Sequence, residues 1–236
     1  MTDRPHNIAI IAAAGMGTRM ESDRAKQMIE LGGVPLLLHT LRRFEKCESV
    51  HEVVLVLQPD LTSEALAAIS RDGLTKIKRV VAGGAERQDS VYRGLQVMDP
   101  GRTEIVVVHD AARPFVRPRE IDAVIDRARS TGAALMALPA VDTIKQIKTA
   151  RVQRTLDRSR LYHAQTPQAF RYGIIRDAYE KARAAGFAAT DDSQLVERLG
   201  HRVSIVEGSP LNIKITRPFD LKIAELINKE FFNGAG

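Results

Sequence analysis

Three clusters along the chain hold the residue types from which a phosphate site is made. AAAGMGTRM at residues 12–20 sets Gly15 and Gly17 ahead of Arg19, and Lys26 follows one short loop later. Glycines let a backbone turn tightly and bring its N–H groups against phosphate oxygens. Arg19 offers a planar fork of donors and Lys26 a compact charge, a pair suited to clamping a triphosphate. GGAERQDSV at 83–91 places Gly83 and Gly84 just before a helix start that carries Arg87 and Ser90. That arrangement suits a flat ligand, with backbone groups at a base edge and Arg87 and Ser90 donating above it. VVVHDAARP at 106–114 ends the fourth strand with Asp110, a strand-end carboxylate of the kind that binds sugar hydroxyls or hydrated magnesium, with Arg113 held by Pro114. Each cluster also has a plainer reading: a glycine that only makes a turn, a lysine or arginine that is only solvated. The residues alone leave both open.

Two common nucleotide fingerprints fail on named residues. A dinucleotide fingerprint needs a third glycine or alanine where Met20 stands, and an acid at the end of the second strand, where Gln58 stands. No Gly-Lys-Ser/Thr closes the first loop, so P-loop ATPase and GTPase readings have no support. His109 adjoins Asp110 but has no nucleophile beside it to activate, and is expected to hydrogen-bond locally. The six histidines form no metal spacing. Cys47, the single cysteine, excludes an internal disulfide and is expected to end an amphipathic helix.

A net charge of +6 invites a nucleic-acid partner, but the basic residues are scattered among 29 acidic ones, aromatics make up 5% and Trp is absent. That leaves few platforms for base stacking. A small polyanionic substrate accounts for local basic clusters as well. The longest apolar runs, VVLVL at 53–57 and IVVV at 105–108, are far too short to cross a bilayer, and MTDRPHN lacks the apolar region of a signal peptide. The expectation is a soluble cytoplasmic protein without nucleic-acid or membrane partners.

The elements that must position these residues alternate between short Val/Ile runs and amphipathic segments. Strands buried on both faces and joined by crossover helices give that pattern, so the class is α/β with a mostly parallel sheet. The strands are expected near Asn7 to Ala13, Val50 to Leu57, Lys76 to Ala82, Glu104 to His109, Ala133 to Leu138 and Arg202 to Val206. Helices are expected at about Pro35 to Lys46, Ser63 to Arg71, Glu86 to Met98, Pro118 to Ser130, Tyr172 to Ala185, Asp192 to Leu199 and Pro218 to Phe231. The 236 residues read as one domain. Ala140 to Gln168 breaks the rhythm, with β-type stretches around Asp142 to Lys148 and Arg151 to Leu156. It reads as a protruding hairpin arm, which is marginal alone and finds an economical cover in the same ribbon of a second subunit. Lys214 falls in a strand-like run, LNIKITRP.

Taken in order, AAAGMGTRM with KQ, GGAERQDSV, HDAARP, VDTIK, LDRSRLYHAQTPQAF, TDDSQ and NIKITRP closely resemble the 2-C-methyl-D-erythritol 4-phosphate cytidylyltransferases of the non-mevalonate isoprenoid pathway. The resemblance runs almost end to end. It implies a Rossmann-like sheet and transfer of a cytidylyl group from CTP to a sugar-alcohol phosphate, with release of pyrophosphate. Magnesium would be held mainly by the CTP phosphates, with no protein metal ligands. The resemblance also implies nucleotide contacts from Ala13, Ala14, Gly15, Gly17, Gly83, Gly84, Arg87, Ser90, Asp110 and Ala111. Arg19 and Lys26 match transition-state stabilisers. Arg158 and Lys214 match residues that position the acceptor, with Asp110, Arg113, Thr143, Thr166 and Thr190 around the same pocket. The family's arm, here about residues 140–165, is exchanged in a homodimer, so Thr143 and Arg158 would serve the neighbouring subunit. The sequence departs from the family at Ala25, where Pro is usual, and at Ala85, where an acid is common. The rival readings are a ribitol 5-phosphate cytidylyltransferase, a noncatalytic nucleotide-binding sensor, and a nicotinamide-dependent oxidoreductase disfavoured by Met20 and Gln58.

Overall fold

The Val/Ile runs become strands with both faces covered. The computed structural model describes residues 6–15 and 26–232. In chain order the elements are β1 (His6–Ala12), β2 (Glu30–Leu31), β3 (Val34–Pro35), α1 (Leu36–Lys46), β4 (Glu52–Leu57), α2 (Thr62–Arg71), β5 (Ile77–Ala82), α3 (Arg87–Gln96), β6 (Thr103–Asp110) and α4 (Pro118–Thr131). There follow β7 (Ala133–Pro139), β8 (Lys145–Lys148), β9 (Arg151–Thr155), β10 (Tyr162–Arg171), α5 (Tyr172–Ala184), α6 (Asp192–Arg198), β11 (Ser204–Glu207) and α7 (Pro218–Ile227).

Seven strands form one sheet in the order β11-β7-β10-β6-β1-β4-β5. Side chains alternate across it. Ala9 and Ile11 of β1 pack with α1, α2 and α4, whereas Ile8 and Ile10 pack with α3, α5 and α6. Each of the buried isoleucines is worth about 1.5–3 kcal/mol relative to exposure. The two faces thus pin the register, since a one-residue slip would exchange the two sets.

Parallel pairing of β1 with β4 and β6, and of β4 with β5, sets their carboxyl ends level: Ala12 lies opposite Asp110, and Leu57 opposite Ala82. The loops after these four strands therefore leave side by side. Strand order reverses beside β1, where open α/β sheets characteristically bind ligands.

The sequence reading needs one substantial correction. Tyr162–Arg171, assigned mostly to the arm, is instead β10, an antiparallel strand in the interior of the sheet between β7 and β6. Its polar residues Gln165, Thr166 and Gln168 are buried, and its register shifts between Ala164 and Gln168. Pro167 sits within that shift, where the ladder is interrupted and no backbone donor is missed. The arm shrinks to β8 and β9, joined through Thr149 and Ala150, both at positive φ, as a two-residue hairpin turn requires. Every residue of β8 and β9 is exposed. Ile147 and Val152 sit opposite each other, 65% and 62% exposed.

One smaller difference concerns the site. The run around Lys214 is irregular rather than a strand, fixed by Ile215 N–H donating to the Ala112 carbonyl at 2.9 Å. Cys47 does end α1, buried, with its S–H donating to Asp122 Oδ1 at 3.1 Å; burial, then Asp122, pushes the thiol up to about 12.

Candidate active site

The level strand ends enclose a cavity of about 600 Å3. Of the residues singled out from sequence, Ala14, Gly15, Gly83, Gly84, Arg87, Ser90, Asp110, Ala111 and Lys214 line it. One wall is the start of the glycine loop. Ala13 N–H donates to the Val56 carbonyl at 2.8 Å, continuing the β1–β4 pairing beyond the strand. The loop's carbonyl oxygens are then claimed by side-chain amides: Gln58 Nε2 donates to Ala14 at 3.1 Å, and Gln27 Nε2 to Ala13 and, at 2.7 Å, to Gly15. These carbonyl oxygens are thereby neutralised as neighbours for an anion. Gln58, recognised from sequence only as the wrong residue for a dinucleotide site, is a donor where an acid would repel those oxygens.

The facing wall is the turn from β5 into α3. A Cβ at Gly83 would lie 2.1 Å from the Ala14 Cβ, so only glycine there lets the two loops touch, and one at Gly84 would lie 2.3 Å from the Asp89 Cβ, so only glycine there lets the turn close onto α3. Ser90 Oγ accepts from Gly84 N–H at 3.0 Å and donates to the Glu86 carbonyl at 3.1 Å. Helix α3 begins here with a reciprocal cap between Glu86 and Asp89.

Asp110 closes the cavity floor at the end of β6. Arg87 Nε lies 3.0 Å from its Oδ1 and Lys214 Nζ 2.8 Å from its Oδ2, with Arg113 Nε further off at 3.9 Å. Its backbone N–H donates to Thr166 Oγ1 at 3.1 Å. Burial alone would raise this carboxyl; the charges of Arg87, Lys214 and Arg113 reverse that and hold it well below the usual carboxylate range. Asp110 therefore remains an acceptor for hydroxyl groups. Arg113 is mostly buried and donates to the Asn212 carbonyl at 2.7 Å. Ile215, fully buried with Leu31, Leu36 and Phe115, anchors the loop that presents Lys214. His109 is fully buried and bonds locally through Nε2 to the Arg113 carbonyl at 3.0 Å. Burial lowers it to about 4, so it is neutral at pH 7.

Other expected residues lie elsewhere. Thr190 lines a separate pocket of about 320 Å3 with Tyr162 and Ile205. Thr143 and Arg158 are exposed on and beside the arm, Arg158 donating to the Val141 carbonyl at 2.6 Å. Gly17, Arg19, Met20 and Ala25 lie outside the described residues, as does the side chain of Lys26, whose backbone opens the short 3-10 turn Lys26–Met28. Sequence reasoning missed Gln27 and Asp192. Asp192, rather than its neighbour Asp191, is fully buried, and accepts from Arg87 Nη2 at 2.8 Å.

Comparison with known proteins agrees with this arrangement. A family model described as 2-C-methyl-D-erythritol 4-phosphate cytidylyltransferase matches residues 7–230. The protein of that description from Pelotomaculum thermopropionicum is 48% identical over 223 residues, covering 94% of this chain and 93% of that one. Its counterpart from Geobacillus thermodenitrificans is 47% identical over 219 residues, covering 93% and 95%. The fold is similar to a crystal structure of 4-diphosphocytidyl-2C-methyl-D-erythritol synthase from Anaerococcus prevotii, with a TM-score of 0.86 and 34% identity over 95% of this chain and 96% of that one.

Proposed function

The chain belongs to the 2-C-methyl-D-erythritol 4-phosphate cytidylyltransferase family, and from that premise we propose how its residues divide the reaction. It is a nucleotidyltransferase that joins CTP to 2-C-methyl-D-erythritol 4-phosphate, giving 4-diphosphocytidyl-2-C-methyl-D-erythritol and pyrophosphate in isoprenoid biosynthesis. The proposal places CTP in the 600 Å3 cavity. The observation that carries it is the contact of the two glycine loops, Gly83 against Ala14, in the cavity that Asp110 also lines. The base lies between Ala14, Gly83, Gly84 and Ser90, and the ribose reaches Asp110 and Ala111. Gly15, Gly17, Arg19 and Lys26 are assigned to the phosphates.

The nucleophile is the acceptor's own phosphate, a dianion near neutral pH because its second pKa is about 6. One of its oxygens bonds to the α-phosphorus as the bond to the β-phosphate oxygen breaks. No general base is needed, and the buried neutral His109 is not asked to be one. Catalysis then rests on in-line positioning and charge stabilisation. Arg19 and Lys26 stabilise the charge on the departing pyrophosphate, while Lys214 and Arg158 hold the acceptor phosphate, with Arg113, Thr143, Thr166 and Thr190 around it.

Magnesium is proposed to arrive with the triphosphate. Among the described residues no group of three or more His, Cys, Asp or Glu side chains converges on a metal position, and Asp110 is already engaged by Arg87 and Lys214. Phosphate oxygens are the hard ligands that fit. When bound, the cation neutralises charge on the leaving group.

Thr143 and Arg158 stand apart from the cavity, which supports a homodimer in which each arm serves its neighbour's site. A single catalytic domain spanning 1–236 and a cytoplasmic location complete the proposal; no helix among the described residues is long and apolar enough to cross a membrane. Lys26→Ala tests the assignment by pyrophosphate release. The variant is expected to stay folded and lose roughly 100- to 1000-fold in turnover. Near-normal turnover contradicts the assigned role.

A further inference from the structure

We infer that Asp192 is a positioning residue for cytidylyl transfer, acting through Arg87 and, beyond it, Asp110. The inference rests on the proposed roles of those two residues. Asp192 is fully buried and does not line the cavity. A carboxylate is kept in such a place only when partners replace its lost hydration. Both its oxygens have one. Oδ2 accepts from Arg87 Nη2 at 2.8 Å, and Oδ1 accepts from the hydroxyl of Tyr179.

Tyr179 is itself 1% exposed on α5, and its ring stacks on Tyr92 of α3 at 6.2 Å between centroids, so the hydroxyl is fixed in place. Through Nε, Arg87 also donates to Asp110 Oδ1, and the second oxygen of that carboxylate meets Lys214 Nζ. An unbroken line of contacts, Tyr179–Asp192–Arg87–Asp110–Lys214, thus runs from the back of α5 into the cavity floor. A guanidinium held through Nε alone is free to pivot; a second carboxylate on Nη2 fixes the plane of the fork. A buried ion pair is weak evidence for a purely stabilising role, because such pairs are often replaceable by apolar groups without loss.

The chain geometry ties the proposed base contact to this anchor, since Ser90 lies one helical turn after Arg87. With the charge at 192 removed, Arg87 is held by Asp110 alone and draws that carboxylate out of line with Lys214.

The test is steady-state kinetics and thermal melting of the full-length enzyme carrying Arg87→Ala, Asp192→Asn, Tyr179→Phe and the Asp192→Asn/Tyr179→Phe pair. Asp192→Asn is nearly isosteric and is expected to lower kcat roughly 10- to 100-fold. The KM for CTP should change far less, since the loss lies in alignment. Tyr179→Phe should lower kcat by about threefold or more alone and add nothing in the Asp192→Asn background, because both act through one carboxylate. A lowered melting temperature with wild-type kcat in both single variants, or losses that multiply in the pair, would overturn the inference. If Asp192→Asn does not fold, Tyr179→Phe decides by the same criterion. Wild-type kinetics in Arg87→Ala would overturn the site reading itself, whereas a crippled Arg87→Ala beside an unaffected Asp192→Asn overturns the anchor alone.

Discussion

The cavity and the arm solve opposite problems. Around the cavity, cations are held before any ligand arrives: Arg87 between Asp110 and Asp192, Lys214 on Asp110, Arg113 on the Asn212 carbonyl. The arm has two short strands with every residue exposed, and an Ile147–Val152 pair facing outward. A two-stranded ribbon is marginal by itself. One chain therefore contains a preorganised nucleotide half and carries, on a limb needing outside support, residues proposed for the other half.

Breaking the arm should have the largest effect. Replacing both Ile147 and Val152 with Asp puts like charges where an apolar contact with a second copy is proposed. The expected outcome is a monomer on sedimentation with native circular dichroism and turnover reduced about 100-fold or more, the scale of losing a transition-state contact. A fully active monomer would remove the arm from the mechanism.

A smaller effect is expected from crowding the cavity. Gly83→Ala drives a Cβ to within 2.1 Å of Ala14, and the loops must part. Overpacking of this kind costs about 1–3 kcal/mol, so CTP binding, measured calorimetrically, should weaken roughly tenfold while the dimer persists. Unchanged CTP affinity would mean that the loop contact does not shape the site.

The smallest effect is a pH dependence confined to the cavity side of the comparison. Because His109 sits at about 4 when folded and near 6.5 when unfolded, the unfolded chain takes up a proton between those values that the folded state refuses. The stability that neutral His109 confers is thus present above about pH 6.5 and lost as pH falls toward 4, by about 3 kcal/mol. Asp110, depressed in the folded state, loses its contribution only below the ordinary carboxylate range, so the windows are distinct. Denaturant unfolding at pH 7 and 4.5 should show a shallower dependence in His109→Gln than in the wild type. An identical dependence would place the titration elsewhere.

Much of the fold was legible because the parallel strands are Val/Ile runs with both faces buried, a pattern carried by the residues themselves. Their level ends then made the glycine loops and Asp110 neighbours, as their spacing implied. β10 was not legible, because its buried polar residues are satisfied by distant groups: Gln168 by Asp191 and the Ser193 N–H, Gln165 by the Ser209 carbonyl. Local pattern cannot reveal a polar strand whose desolvation is offset by tertiary hydrogen bonds. The same holds for Asp192, indistinguishable from Asp191 until Arg87 and Tyr179 are seen beside it. Lys214 looked strand-borne, yet that segment is irregular and secured by tertiary contacts: Ile215 is buried among Leu31, Leu36 and Phe115, and the Asn212 side chain donates to the Thr166 carbonyl. Arg158 was singled out by resemblance, and its distance from the cavity is what gives the arm its proposed role.

The central claim, a site shared between two chains, is tested most directly by mixing two inactive enzymes. Arg158→Ala disables the arm and Lys214→Ala disables the cavity. After subunit exchange, half of the dimers are hybrids, and each hybrid contains one site with an intact cavity and an intact neighbouring arm. Recovery of about a quarter of wild-type pyrophosphate release is the predicted result. No recovery, with exchange confirmed, would show that each arm serves its own chain and would contradict the account.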